Sequence, residues 1–249
     1  MTHRLVGALA SALLLLTGCQ AHRGLEPLAP DVHDQGHLLY QARVERAGKG
    51  RRFRLALAVQ YPDRFRLEVI GPVGGPRLVL ISDGTVVQAS LPSQRVFARG
   101  PAEAETLGIL TGLPLAPEEF LDLLLGFPEP ADQSAVLRAE PGGATQVRTS
   151  FEAGRKIARD AEVLFGASGE ESALQVSYGE ETQGPWGPQA LELDLRQGET
   201  TLNLQLKEGS RGPVKPAAFL LDVPARFSEL SLERLAESGT SLFGVEGGS

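Results

Sequence analysis

Cysteine and histidine are almost absent from this sequence of 249 residues. Cys19 is the only cysteine, and the four histidines are His3, His22, His33 and His37. The chain beyond His37 therefore offers no internal disulfide, thiol nucleophile, histidine base or histidine zinc ligand. We accordingly expect a protein that is not an enzyme, with no catalytic residues, no metal and no cofactor beyond a lipid attached covalently to Cys19.

Long hydrophobic runs and blocks of basic charge are also lacking. The longest apolar run, residues 5–16, would extend only about 18 Å as a helix, whereas a bilayer core is roughly 30 Å thick. The formal net charge is −7, and we expect it to be spread along the chain with no basic block. A permanent transmembrane helix and a nucleic-acid partner are therefore not expected.

The N-terminus has the layout of a secretory signal. Arg4 precedes the apolar run, and the run ends at Leu16-Thr17-Gly18-Cys19. This end resembles the bacterial lipobox, whose cysteine is acylated and becomes the first residue after cleavage. The resemblance implies that residues 1–18 are a signal peptide and that Cys19 carries lipid; the alternative is a free thiol near an ordinary cleavage site. In the enterobacterial pattern, an aspartate directly after the lipidated cysteine retains a lipoprotein at the inner membrane. Residue 20 is glutamine, which favours delivery to the outer membrane.

Alternation of apolar and polar residues predicts antiparallel strands between about residues 39 and 99. Phe53 to Tyr61 and Phe65 to Val69 alternate with polar residues, and Pro62-Asp63 between them supplies a turn. Three further strands follow, over residues 77–82, 85–90 and 94–99. The segment 31–39, at the end of a Pro- and Gly-containing tether, is compatible with a short helix.

Two short helices are predicted to interrupt the strands. Residues 103–111 and 118–125 are leucine-rich at helical spacing, with Pro117 at the first turn of the second helix and Gly126 after its end. The pairs Glu103/Glu105 and Glu118/Glu119 are expected to complement the positive ends of the helices, and the alternative is acid–base work by paired carboxylates. Strands resume over residues 135–139, 145–152, 158–165, 173–178, 191–195, 202–206 and 217–223.

Several of these segments resemble the LolB family, outer-membrane lipoproteins that receive other lipoproteins from the periplasmic carrier LolA. Tyr-Pro-Asp-Arg-Phe-Arg-Leu at 61–67 and Gly-Pro-Val-Gly at 71–74 are similar to the family's strand and Pro-Leu-Gly loop. Thr-Gly-Leu-Pro-Leu at 111–115 and Leu-Leu-Leu-Gly-Phe-Pro at 123–128 are similar to its later motifs. The order agrees across roughly residues 37–128, although the loop has valine and Trp186 is the only tryptophan.

The resemblance implies a mainly β fold, an unclosed antiparallel half-barrel of about eleven strands with a helical lid over an apolar interior. Its domains would be the signal peptide at 1–18, the lipidated cysteine and tether at 19–36, the lipid-binding domain at 37–237 and a flexible tail at 238–249. Candidate cavity residues, which could equally be ordinary core, are Leu55, Leu57, Phe65, Leu67, Leu121, Leu124, Leu193 and Leu204.

Function follows from the same resemblance. We expect a lipid-anchored protein facing the periplasm that binds acyl chains and assists insertion of lipoproteins or lipids into the outer membrane. Its partners would be membrane lipid, acyl chains and a LolA-like carrier. The alternative is a structural or assembly lipoprotein of the envelope that uses the same scaffold for protein contacts.

Val73, between Gly71-Pro72 and Gly74-Gly75, corresponds to the family's membrane-inserting loop residue and could equally fold back onto the sheet. A Val73→Glu variant should keep its stability, because a charge at a loop tip stays solvated, and should lose delivery of lipopeptide to liposomes. Thermal unfolding and a fluorescent lipopeptide transfer assay measure the two properties. Unfolding of the variant would place Val73 in the core and contradict the loop hypothesis.

Overall fold

A computed structural model of the chain describes residues 35–46, 48–72, 74–126, 145–150, 159–165, 172–179, 190–195 and 200–240. All of them belong to one compact unit, Val32–Ser249. Cys19, Val73 and the strand expected over 135–139 lie outside the described residues, as do most of the tether and the C-terminal tail.

One open sheet of twelve strands dominates the described part of the chain. Its order is β12-β6-β5-β4-β3-β2-β1-β11-β10-β9-β8-β7, and the two end strands, β12 and β7, do not pair with each other. Eleven strands pair antiparallel, and the two-residue β12 adds to β6 in parallel. The predicted unclosed antiparallel architecture of about eleven strands is therefore confirmed. The strands are β1 Gln35–Arg46, β2 Lys49–Gln60, β3 Arg64–Ile70, β4 Pro76–Asp83, β5 Val86–Leu91, β6 Val96–Pro101, β7 Thr145–Ser150, β8 Asp160–Phe165, β9 Ser172–Tyr178, β10 Ala190–Leu195, β11 Thr200–Arg211 and β12 Ser228–Glu229.

The register aligns the apolar residues of neighbouring strands on one face, called here the inner face. Tyr40 of β1 lies opposite Leu55 of β2, and Leu57 lies opposite Leu67 of β3. Because side chains alternate along a strand, a slip by one residue would turn all of these to solvent. Their burial therefore fixes the pairing of the central strands.

Strand β1 corrects the expected helix over 31–39, because a strand begins at Gln35. It lies between β2 and β11 and pairs with both along its length. A side chain at Gly36 would bring its Cβ to 2.3 Å from Ser210 O of β11, so this close pairing requires glycine. Pairing with strands on two sides outweighs the weak local preference of these residues for a helix.

The two predicted helices are confirmed, as α1 Ala104–Thr111 and α2 Pro117–Leu125. Pro117 occupies the first turn of α2, where no backbone N–H is needed, and Glu119 Oε2 accepts from the Ala116 N–H at 2.9 Å. Gly126 ends the helix with a φ of 98°, which favours glycine. These local signals explain why α2 could be located from the sequence.

The expected strand over 217–223 is wrong, because the chain there forms a 3-10 helix, Pro216–Phe219, on the outer face of the sheet. Phe219 is 1% exposed and packs in a second apolar cluster with Val79, Ile81 and Ala58. The outer face of β4 is therefore apolar too, and it needs a cover. We call residues 212–224 the outer strap.

Beyond the outer strap the chain passes to the inner side at the β6 edge. β12 pairs with β6, and the short helix α3, Leu232–Leu235, follows it. Leu235 is buried in the inner cluster, so the C-terminal segment contributes to both faces of the sheet.

Replacing Phe219 by alanine should lower the free energy of unfolding by about 3 kcal/mol, since a buried phenyl ring is lost from the outer cluster. The neighbouring Leu220 is 59% exposed, and Leu220→Ala should change stability by no more than about 0.5 kcal/mol. Urea denaturation of both variants measures the difference. Equal effects would show that the outer strap does not stabilise the sheet.

Candidate functional site

The inner face of the half-barrel is covered by α1, α2 and the loop between them. Leu107 and Leu110 of α1, Leu113 of the loop, and Phe120 and Leu121 of α2 are all buried. They belong to the same apolar cluster as the inner-face residues of the sheet. The helices therefore cover the apolar inner face of the sheet.

The structure brings all eight predicted cavity residues into this one cluster. Six come from strands β2, β3, β10 and β11, and two come from α2. Each is between 0 and 4% exposed. The side chains are packed as a core, and their contact with lipid stays a prediction. These residues are Leu55, Leu57, Phe65, Leu67, Leu121, Leu124, Leu193 and Leu204.

Helix α2 bridges two distant parts of the sheet through polar contacts. The Tyr61 hydroxyl, at the β2–β3 turn, donates to Asp122 Oδ1 at 3.0 Å. The Tyr178 hydroxyl, at the end of β9, donates to Leu123 O at 2.9 Å. Since β3 and β9 are separated in the sheet by β2, β1, β11 and β10, one short helix ties the two halves together.

An aromatic contact adds to the attachment on the β3 side. The ring centroids of Phe65 and Phe120 lie 5.3 Å apart with the planes tilted by 37°.

Sequence patterns pointed to the apolar residues of this site and missed Tyr61, Asp122 and Tyr178. For Tyr178 the sequence does contain a signal. A side chain with a polar hydroxyl stands at an inward-facing position of an alternating strand, where the hydroxyl needs a hydrogen-bond partner.

Tyr40 differs from the other tyrosines of the inner face. Its side chain is fully buried, and its hydroxyl has no hydrogen-bond partner among the described residues. Burial raises the pKa of the Tyr40 hydroxyl well above its usual value. Burial, followed by the charge of Asp122, also raises the pKa of the Tyr178 hydroxyl. Both groups are therefore neutral over the physiological pH range.

One cleft opens on the outer face of the sheet, where several polar and charged side chains line it. Its volume is about 680 Å³, and its lining includes Arg43, Arg52, Glu192 and Asn203.

Within the described residues, no three His, Cys, Asp or Glu side chains come together as a metal site. The helices in the same part of the chain include none with the length and apolarity to cross a membrane.

Comparison with known proteins gives similarities of architecture. The chain is similar to a LolA superfamily protein from Nitrosomonas europaea, with 11% identity, a TM-score of 0.49 and coverage of 76% of this chain and 91% of that one. It is also similar to an outer membrane lipoprotein-sorting protein domain from Vibrio parahaemolyticus, with 11% identity, a TM-score of 0.49 and coverage of 74% and 89%. No family model and no curated protein sequence matches the chain. Identities of this size say nothing about what the chain binds.

The two buried tyrosines give a matched pair of variants. Tyr40→Phe should leave the free energy of unfolding unchanged or raise it by about 1 kcal/mol, because it removes an unpaired hydroxyl. Tyr178→Phe should lower it by about 1–2 kcal/mol, because the Leu123 carbonyl, in the last turn of α2, loses the hydroxyl donor. Urea denaturation compares them. A loss of stability in Tyr40→Phe equal to that in Tyr178→Phe would contradict the assignment.

Proposed function

We propose that this protein is a non-catalytic, lipid-anchored protein of the cell envelope that holds acyl chains on the inner face of its sheet by displacing helix α2. In this proposal Cys19 carries the lipid anchor, and the folded unit faces the periplasm from the outer membrane. The cargo is a lipoprotein or another lipid, delivered by a LolA-like carrier and passed on to the membrane.

The observation that supports this proposal best is the kind of cover that lies over the inner face. The apolar side of an antiparallel sheet is commonly buried by a second sheet, but here two helices of eight and nine residues lie over it. Helices of this length are marginal on their own and depend on packing. Such a cover can be displaced as a unit without breaking the hydrogen bonds between strands.

The energies of such an exchange are of similar size. Removing α2 would expose Phe120, Leu121, Leu123 and Leu124, each worth roughly 1.5–3 kcal/mol of burial. A chain of about fourteen methylenes buried in their place would return on the order of 10 kcal/mol. Binding is therefore feasible, and its affinity depends on the free energy required to displace α2 from the sheet.

The alternative proposal is a structural or assembly lipoprotein that uses the same scaffold for protein contacts. One observation favours it, namely that the eight candidate residues are packed as closely as an ordinary core. In that case α2 would remain in place permanently, and no lipid would enter.

Tyr61→Phe distinguishes the two proposals. The substitution keeps the ring but removes the hydroxyl that donates to Asp122, so α2 should separate from β3 more easily. If acyl chains enter beneath α2, a triacylated fluorescent lipopeptide should bind about fivefold more tightly, reflecting roughly 1 kcal/mol for one hydrogen bond. Fluorescence anisotropy on the unit Val32–Ser249 measures this affinity.

Ser177→Ala is the matched control. The Ser177 hydroxyl donates to Asp160 Oδ1 at 3.0 Å on the exposed side of β9, away from α2. Its loss should leave lipopeptide affinity unchanged. Absence of saturable lipopeptide binding by well-folded wild-type protein and by Tyr61→Phe would contradict acyl binding and favour the structural proposal.

A further inference from the structure

The hairpin of β1 and β2 carries a local concentration of positive charge. From the sequence we expect charge to be spread along the chain. Residues 43–54 contain six basic side chains and one acidic side chain, Glu45, within a chain of net charge −7. The turn folds the two halves of this segment side by side, so the expectation of no basic block is wrong at this position. We call it the cationic tip; its basic residues are Arg43, Arg46, Lys49, Arg51, Arg52 and Arg54.

Strand pairing within the cationic tip places like charges directly opposite each other. Arg43 lies directly across from Arg52, and Arg46 lies across from Lys49. Like charges in these positions destabilise a strand pair, so the arrangement does not serve the folding of the hairpin. A surface that supplies many anions would relieve this repulsion.

The basic side chains are exposed and largely without internal counter-charges. All six are solvent-exposed, and Arg43 alone has an ion pair among the described residues, with Glu45. Arg43 and Arg52 project from the outer face of the strands, whereas Arg46 and Arg51 occupy inner-face positions at the end of the core, with Arg51 opposite the buried Val44. The cationic tip therefore offers positive charge on both faces.

On its β2 side the cationic tip extends past β3, whereas on its β1 side β11 remains paired as far as Arg46 and Thr200. Pairing of β2 with β3 begins at Arg54 and Ile70, so residues 49–53 project beyond β3 by roughly 16 Å. The turn that follows β3 starts at Gly71 and has exposed Pro72, Gly74 and Gly75. A cleft of about 390 Å³ reaches from the cationic tip to Pro72, and its lining combines Arg52, Arg54 and Lys207 with the apolar side chains of Leu39, Phe53 and Ile70.

We propose that the cationic tip, with this cleft, contacts the phosphate groups of an anionic membrane surface, so that the strands meet the membrane at this end. A protein partner would dock on one face of the hairpin, whereas a layer of lipid headgroups surrounds a tip and contacts both faces. A tether of sixteen residues from Cys19 to Gln35 can span up to about 50 Å, which exceeds the length of β1 and allows this orientation. The inference concerns membrane contact and does not depend on acyl binding.

A charge-matched pair of triple variants tests the proposal. The first replaces Lys49, Arg51 and Arg52 by glutamine, and the second replaces the exposed residues Arg159, Arg211 and Lys215 by glutamine. Both remove three positive charges, but Arg211 pairs with Gly36 at the opposite end of β1. The unit Val32–Ser249 contains the whole described sheet and both apolar clusters, so it has a core of its own and can be used without its anchor.

The measurement is co-sedimentation with vesicles of phosphatidylcholine alone and of phosphatidylcholine mixed with phosphatidylglycerol. Wild-type protein should bind the mixed vesicles and lose this binding as salt is raised. The hairpin variant should bind about 100-fold more weakly, from roughly fivefold for each basic residue, while the control variant stays within about twofold of wild type. Circular dichroism verifies that both are folded.

Three results would overturn the proposal. They are equal weakening in the two triple variants, equal wild-type binding to both kinds of vesicle, and no wild-type binding to either. The last result would point to an acidic protein as the partner of the cationic tip. Lipopeptide binding in solution, measured in parallel on the hairpin variant, reports separately on the acyl-binding proposal.

Discussion

Burial of one apolar face of a single open sheet is the constraint on which the rest of this structure depends. A closed barrel would bury that face against itself, but here β12 and β7 end the sheet without meeting. The inner face must therefore be covered by segments that are not strands, and α1, α2 and Leu235 of α3 supply the cover. The outer strap does the same for the apolar part of the outer face, through Phe219.

This arrangement links stability to the proposed function. The hydrogen bonds that pair the described strands do not involve α2, whose described contacts with the sheet include those of the Tyr61, Tyr178 and Phe65 side chains. A helix attached in this way can leave while the sheet persists, because the two sets of interactions are separate. The same separation would let an acyl chain replace leucine side chains of α2 with little change in buried area. At the far end of the strands, the cationic tip gives the molecule a charged end distinct from its apolar interior.

Local patterns predicted those elements whose signals are complete within a few residues. The β2–β3 hairpin was predicted from alternation around Pro62-Asp63, and α2 from Pro117 and Gly126. The first part of β1, Gln35 to Leu39, was misassigned because Leu38, Leu39 and Tyr40 are consecutive apolar residues that hide its alternation. The segment at Pro216–Phe219 was misassigned because its apolar residues face β4 and not a pairing strand. At the site, the buried leucines could be predicted, but the Tyr61–Asp122 contact joins residues 61 positions apart and leaves no local pattern.

The central claim, that acyl chains take the place of α2 on the inner face, is tested most directly by hydrogen exchange with and without a triacylated lipopeptide. Amides of α2, residues 117–125, should exchange faster when lipopeptide is bound, while amides of β2 and β3 keep their protection, since the sheet remains intact. Unchanged exchange of α2 at saturating lipopeptide would contradict the claim, because the helix would then still occupy the inner face.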